Sequence, residues 1–340
     1  MKPDLKNERG IALFLVLWIL ALLTVIAAEF CYTIRTEVDI TRNFKEETQA
    51  YYIASAGVFW MIGELVVNEY LPHPVSTPDS VESSEDLRWR LSYDMPPVPF
   101  GAGRFKVKKT NESGKVNLNR AGRSLLMMML NNFEIDEDHK EIIVDSIMDW
   151  RDKNGLTHPN GAENDYYQSL PEPYKCKNDD FTTIEELLLV RGITPSLFYG
   201  GLKDLVTVYQ DEESSEDDNR KRKAMVDFNR ININAASPQM LRSLPGMSPE
   251  MAASVMAFRE KKDFRSRTEF YKVVGAETYK ALSTYITLKP SPYYTLESTG
   301  MLGDGRAREG VAAVVRIDRK IKKGYEIIQW IDSLEYLSGQ

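Results

Sequence analysis

From Ile11 to Ala28 the chain carries no charged residue. Wound as a helix at ~1.5 Å per residue, that run reaches roughly 27 Å, about the depth of a bilayer's hydrocarbon core. Beyond Glu29 the pattern changes without breaking: Phe30, Ile34, Val38, Tyr51, Ala54 and Val58 recur at helical spacings, with Arg35, Glu37, Asp39 and Arg42 between them. The spacing predicts one helix reaching to about Tyr70, where Pro72 and Pro74 stop it. An ordinary secretory signal has a shorter apolar core of ~7 to 15 residues and an A-x-A-like cleavage site. Ala27-Ala28-Glu29 fits that poorly because the helical pattern runs through it, so a retained anchor is expected.

His73 to Ser84 is rich in Pro, Ser, Thr and Asp and reads as an exposed connection, after which Ser83 to Asp86 can cap a short helix through Arg90 and Leu91. Arg104 to Lys108 alternates charged and apolar side chains as a strand does. At the far end, Tyr293 to Thr299, Glu309 to Ile317 and Tyr325 to Ile331 form an antiparallel meander with turns at Gly300 to Gly305 and around Lys322 to Gly324. The lone strand at 104–108 is placed in the same sheet, packed on the second half of the long helix. The class is therefore α+β.

Between these strands lies a mainly helical insertion with an internal echo. Val116-Asn-Leu-Asn-Arg-Ala121 and Ile231-Asn-Ile-Asn-Ala-Ala236 both alternate apolar residues with Asn before entering a helix, the second Asn capping or turning the backbone. Two related helical units follow: one with helices at Leu125 to Phe133, Lys140 to Trp150 and Thr183 to Val190, the other at Pro238 to Leu244, Pro249 to Glu260 and Ser266 to Val273. Asp211 to Lys223 joins an acidic block to a basic one and reads as a solvated loop. The expected organisation is a leader at 1–10, a transmembrane and spine helix at 11–70, a sheet domain made of 71–114 and 290–340, a first unit at 115–210, a charged linker at 211–224 and a second unit at 225–289.

Charge and chemistry narrow the function. A net charge of −7 over 340 residues argues against a surface built to grip a phosphate backbone, so no nucleic acid is expected. Lys2, Lys6 and Arg9 precede the apolar run, which keeps that end cytoplasmic and sends the bulk of the chain across. Cys31 and Cys176, far apart in sequence, are expected to remain unpaired. His73, His139 and His158 are the only histidines and none is at ligand spacing with another, so each is assigned to the surface. With no G-x-S-x-G or Walker loop, no enzyme is expected.

The most chemically loaded stretch is Asp149 to Tyr167. Asp149, Asp152, Asn154, Glu163, Asn164 and Asp165 concentrate hard oxygen donors in a loop that Gly155, Pro159 and Gly161 allow to wrap. Calcium takes about 6 to 8 oxygens and tolerates irregular geometry, so the loop reads equally as a calcium site or as a solvated acidic loop after a helix. The spacing is not that of an EF-hand. Lys177-Asn-Asp-Asp180 downstream either completes the site or forms a second one.

A short basic leader ending in Gly10, an uncharged run and an amphipathic continuation resemble a type IV prepilin leader. The resemblance implies cleavage by a prepilin peptidase after Gly10, N-methylation of Ile11 and retention of an anchor that includes Leu15, Trp18 and Leu22. Most pilins and pseudopilins carry Glu where Leu15 stands, a membrane-buried carboxylate retained where a partner amine meets it. That absence and the chain's length resemble the minor pseudopilin general secretion pathway protein K family. So does Asp149-Trp-Arg-Asp152 followed by Gly161-Ala-Glu-Asn-Asp-Tyr-Tyr167, a region where that family binds calcium. The resemblance implies a pilin-like helix on a small antiparallel sheet with two sterile-alpha-motif-like units inserted, and a calcium ion held by Asp149, Asp152, Glu163 and Asp165, with Asn154 and carbonyls completing the shell. It also implies a single-pass protein of the bacterial inner membrane with a periplasmic bulk, at the tip of a type II secretion pseudopilus that exports folded proteins. Its partners would be the I-type and J-type minor pseudopilins and the major pseudopilin. The competing reading is a single-span receptor for DNA: Ile231 to Ala252 resembles the helix-hairpin-helix modules of competence receptors. There Gly246 and Met247 fit the hairpin, but Ser248 replaces its second glycine and Pro249 removes a donor.

Overall fold

The computed structural model describes residues 8–70, 90–91, 95–210, 227–303, 305 and 307–332. The predicted short helix from Ser83 and the charged linker at 211–224 lie outside the described residues, except for Arg90 and Leu91. In chain order the strands are β1 (Val98–Phe100), β2 (Gly103–Asn111), β3 (Val116–Asn117), β4 (Val206–Thr207), β5 (Ile231–Asn232), β6 (Ile286–Thr287), β7 (Tyr293–Leu302), β8 (Ala307–Ile317) and β9 (Tyr325–Ile331). The main helices are α1 (Glu8–Tyr70), α2 (Arg123–Leu130), α3 (Glu137–Arg151), α4 (Asn164–Gln168), α5 (Pro238–Ser243), α6 (Pro249–Lys261), α7 (Arg267–Val274) and α8 (Ala276–Leu282).

Helix α1 is unbroken for 63 residues and begins inside the leader. Its first part, through Ile26, exposes apolar side chains on every face, as a helix meant for lipid does. Its last part buries Ala50, Ile53, Ala54, Val58, Met61, Ile62 and Leu65, spaced three and four apart. That stripe lies on a five-stranded antiparallel sheet ordered β1-β2-β7-β8-β9, so the strand at 104–108 joins the C-terminal meander. Alternation along the strands turns Phe105, Val107, Leu296, Val311, Ala313, Val315 and Ile317 toward the helix. The approach is close because small residues meet: a Cβ on Gly300 would strike the backbone of Ala50 and Ala54, and one on Gly57 would strike Ser298 and Phe105.

The insertion leaves the sheet at Asn111 and returns at Tyr293, and the two crossings are clasped. Asn111 Nδ2 donates to the Ser291 carbonyl (2.8 Å) while Asn111 Oδ1 accepts from the backbone N–H groups of Ser113 (3.1 Å) and Ser291 (3.0 Å). Glu112, also buried, accepts from Thr295 Oγ1 (2.6 Å) and Lys115 Nζ (2.9 Å). Elsewhere Arg90 donates to the carbonyls of Lys261 and Arg259, and the Leu91 N–H donates to Asp263 Oδ2 (3.0 Å), which seats the second unit beside the sheet.

The echo in the sequence is an echo in three dimensions. Each unit closes on a two-residue parallel bridge, β3 with β4 and β5 with β6. In each, the first Asn accepts from the N–H of the second: Asn117 from Asn119 (2.9 Å), Asn232 from Asn234 (3.0 Å). Of the two expectations for the second Asn, it sits in a turn and does not cap a helix; its amide pairs with both backbone groups of a phenylalanine far along the chain. Asn119 does so with Phe181 (3.0 and 2.7 Å) and Asn234 with Phe264 (3.0 and 2.9 Å). Helices α2 and α5 are capped by Gly122 and Ser237 instead. Arg151 donates to the carbonyls of Leu118 and Ala121, and Arg259 to that of Ala236. The third helix of unit one, expected at 183–190, is a 3-10 helix at Ile184–Leu189. Glu186 folds back on the N–H of its N-cap, Thr183, and Glu269 on that of Arg265, the residue before the N-cap of α7.

Candidate metal centre in the acidic loop

Asp149 sits in the last turn of α3, fully buried, and Asp152 is that helix's C-cap. The loop passes directly over Asp149 because position 161 is glycine: a Cβ there would collide with Asp149 Oδ2. Asp149 Oδ1 accepts from the backbone N–H of His158 (3.1 Å), and the His158 ring Nδ1 lies against the same oxygen. Ligand atoms of Asp149, Asp152 and His158 all fall within 4.8 Å of one another. A lateral brace holds the return of the loop, with Asn160 donating to Asp145 Oδ2 (3.2 Å) and Glu141 (3.0 Å), and Arg123 paired with Asp145.

Glu163 faces the same region at 6% exposure, and its carboxylate oxygens make no full hydrogen bond, the Asn178 amide and the Asn164 N–H being the nearest donors and only partly offsetting its burial. Burial pushes its pKa above the usual carboxylate range, and the nearby charges of Asp149 and Asp152 add to the rise. Asn178, at φ 49° in the left-handed region, donates Nδ2 to the Asn154 carbonyl (3.2 Å) and leaves its buried Oδ1 without a partner. Asp149, Asp152 and His158 thus cluster, with the Glu163 carboxylate near enough to feel the first two charges and meeting no cation of the chain among the described hydrogen bonds. Buried carboxylates are costly unless paired or metal-bound, and these orphaned oxygens fit a hard divalent cation.

Of the predicted set the structure brings Asp149 and Asp152 together, with His158 as the third group, and sets Glu163 nearby. Asp165 is exposed in the first turn of α4, and the exposed Asn154 spends its Oδ1 on the Leu156 N–H (2.8 Å). His158 is not a free surface residue: its side chain is 33% exposed and its ring rests on Asp149. His139 is half-buried, with Nε2 against the Gly192 carbonyl (3.0 Å), and His73 lies outside the described residues. Asn178 lies inside the stretch Lys177 to Asp180 expected to complete the site or form a second one; it comes near Glu163 through a left-handed turn that leaves no mark in composition. Under the loop, Trp150 packs edge-on against Tyr167 (5.2 Å) and Tyr174 (6.3 Å), so the carboxylates stand on an aromatic floor. The two cysteines are free, Cys31 exposed on α1 and Cys176 buried in the loop.

The second candidate, the hairpin at Gly246, has less to offer an anion. Gly246 holds φ 73°, but Ser248 is the N-cap of α6 and accepts from the Met251 N–H (3.2 Å), with Pro249 next. Of the nearby cations, Arg259 is buried on the Ala236 carbonyl and Lys262 is paired with Glu269 (2.8 Å).

Comparison with known proteins gives a consistent answer. Residues 103–211 match the family model for protein K of the type II secretion system, and residues 226–287 match that for the helix-hairpin-helix motif. A type II secretion system protein K of Aeromonas hydrophila is 24% identical over 327 residues, covering 90% of this chain and 92% of that one. One of Pseudomonas aeruginosa is 22% identical over 285 residues, covering 78% and 77%. A solved chain from the GspK-GspI-GspJ complex of the enterotoxigenic Escherichia coli type 2 secretion system shares the fold, with a TM-score of 0.57 and 17% identity over 86% of this chain and 98% of that one.

Proposed function

The chain belongs to the family of type II secretion system K proteins and is a minor pseudopilin, a structural component of secretion; from that premise we propose that it caps the tip of the pseudopilus. The observation that carries this reading is the helical head inserted between β2 and β7, which makes the chain broad at the end away from the lipid-facing part of α1. A subunit stacking above would meet the head, while one packing beside α1 would not. Leu15 in place of an acidic residue agrees, since a subunit with no neighbour above needs no buried carboxylate to hold that neighbour's amine. Its partners are then the I-type and J-type minor pseudopilins, as in the complex named for the solved relative. Lateral association in lipid relies on packing of the apolar helices. The chain is cut after Gly10 by prepilin peptidase, remains in the inner membrane and holds its bulk in the periplasm, with Lys2, Lys6 and Arg9 on the cytoplasmic side before cleavage. Calcium binds in the acidic loop through Asp149 and Asp152, with Glu163 beside them.

N-terminal sequencing of the membrane-extracted protein tests the maturation step: a start at N-methylated Ile11 is expected, and an intact Met1 or a start near Glu29 contradicts it. Site-specific labelling of the head on isolated pseudopili tests the position, with label expected at one end and label along the shaft contradicting it. The DNA-receptor reading is not favoured. Filter binding of the chain to DNA is expected to be weak, without the steep salt slope of a phosphate binder.

A further inference from the structure

The two helical units share the Asn–Asn–Phe–Arg constellation described above, and their second hairpins also coincide, with Gly192 and Gly275 at φ 87° and 81°. They differ at one corner. In unit two, Arg259 and Phe264 are joined by residues 260–263, Glu-Lys-Lys-Asp; in unit one, the equivalent Arg151 and Phe181 are joined by residues 152–180. Apart from Asp149, the whole candidate metal centre lies in that longer connection.

The bonds that close unit one are made by residues outside it, while the connection adds contacts at its flanks, Gln210 donating to Asp180 Oδ2 (2.7 Å) and Arg191 to the Gly161 carbonyl (2.9 Å). Asn119 reaches Phe181 and the Val208 carbonyl, Arg151 reaches the carbonyls of Leu118 and Ala121, and β3 pairs with β4. The connection adds Ala162, Tyr167 and Cys176 to the edge of the common core, with Tyr167 packed edge-on against Trp150. The counterpart of Trp150, Phe258, manages without such a cover: it stacks flat on Phe264 at 4.1 Å and 7°, with the Lys262 ammonium 5.2 Å above its ring. Even the pair that braces the third helix is kept in both forms, as Lys177 with Glu186 (2.7 Å) and Lys262 with Glu269 (2.8 Å).

We propose that residues 152–180 are an insertion into one copy of a duplicated helical unit, and that cation binding orders this insertion without contributing to the closure of the unit that carries it. The second half rests on the calcium reading above; the first does not.

Hydrogen–deuterium exchange on the full chain in detergent micelles separates the two. In the unaltered chain, replacing calcium with a chelator is expected to speed exchange in peptides within 152–180 and to leave 116–121 and 203–208 unchanged; loss of protection in those bridge segments overturns the locality. If calcium changes exchange nowhere, the calcium reading falls, and the insertion is decided by a second chain in which 152–180 is replaced by Glu-Lys-Lys-Asp. There, protection of 116–121 is expected to stay within about tenfold of the parent. Collapse of that protection while 231–236 in unit two keeps its own overturns the insertion. Because the shortened chain uncovers Trp150, the same exchange is read in a version that also carries Trp150→Phe, matching Phe258, and collapse in both is the overturning result.

Discussion

Glu163 and Lys109 each hold a charge that burial disfavours. For Glu163→Gln the shape is kept and the charge removed, so most of the calcium-dependent rise in melting temperature should disappear, while in chelator the variant should melt above the parent because a repelled, buried carboxylate is gone. Differential scanning fluorimetry with and without calcium reads both. Lys109 is 8% exposed, and burial lowers its pKa to about 8 against the opposing pull of Asp263 and Glu64. The sign follows from linkage: between pH 8 and the unfolded value of ~10.4 the unfolded chain binds the extra proton, so stability attributable to this site rises with pH. The rise in stability between about pH 8 and 10 should be absent in Lys109→Met, read as a flatter pH profile in urea titrations. At this scale the sequence was informative about acids and silent about geometry. Asp149, Asp152 and Glu163 stand out as a dense run of carboxylates in a turn-rich loop. The contact of His158 with Asp149 and the aim of Asn178 depend on how the loop folds back, which spacing does not encode.

Among the elements, α1 and the sheet are joined at a row of small side chains, and that join is the most easily broken. Gly300→Val sets two branches against the Ala50 and Ala54 backbone, which cannot swing aside as a side chain can, so the helix must lift from β7. Overpacking of this kind costs about 1 to 3 kcal/mol, measurable as a lowered urea midpoint with an unchanged slope. The long helix and the strands were legible because periods of 3.6 and 2 persist over many residues in each. The bridges β3–β4 and β5–β6 were not, since two residues carry no period and their pairing joins positions as distant as Val116 and Val206. The Asn repeats announced that two units were related, yet the role of Asn119 and Asn234 emerged only once Phe181 and Phe264 were placed beside them.

For the molecule as a whole, the lipid-facing part of α1 contributes nothing to the core, because the buried stripe begins at Ala50. A chain starting at Glu29 should then fold with the melting temperature of the full chain but stay in the aqueous phase after carbonate washing, where the full chain sediments with membranes.

The clasp of Asn111 and Ser291 also decides how this protein answers mechanical load. Both tethers of the head are fixed side by side, so a thrust on the head displaces β2 and β7 together and leaves the ladder between them unstrained. The stress passes instead to the ten rungs between β7 and β8 and to the contact with α1, along the strand direction. Bonds loaded in that shearing sense share the force, whereas a geometry that peels would break them one rung at a time.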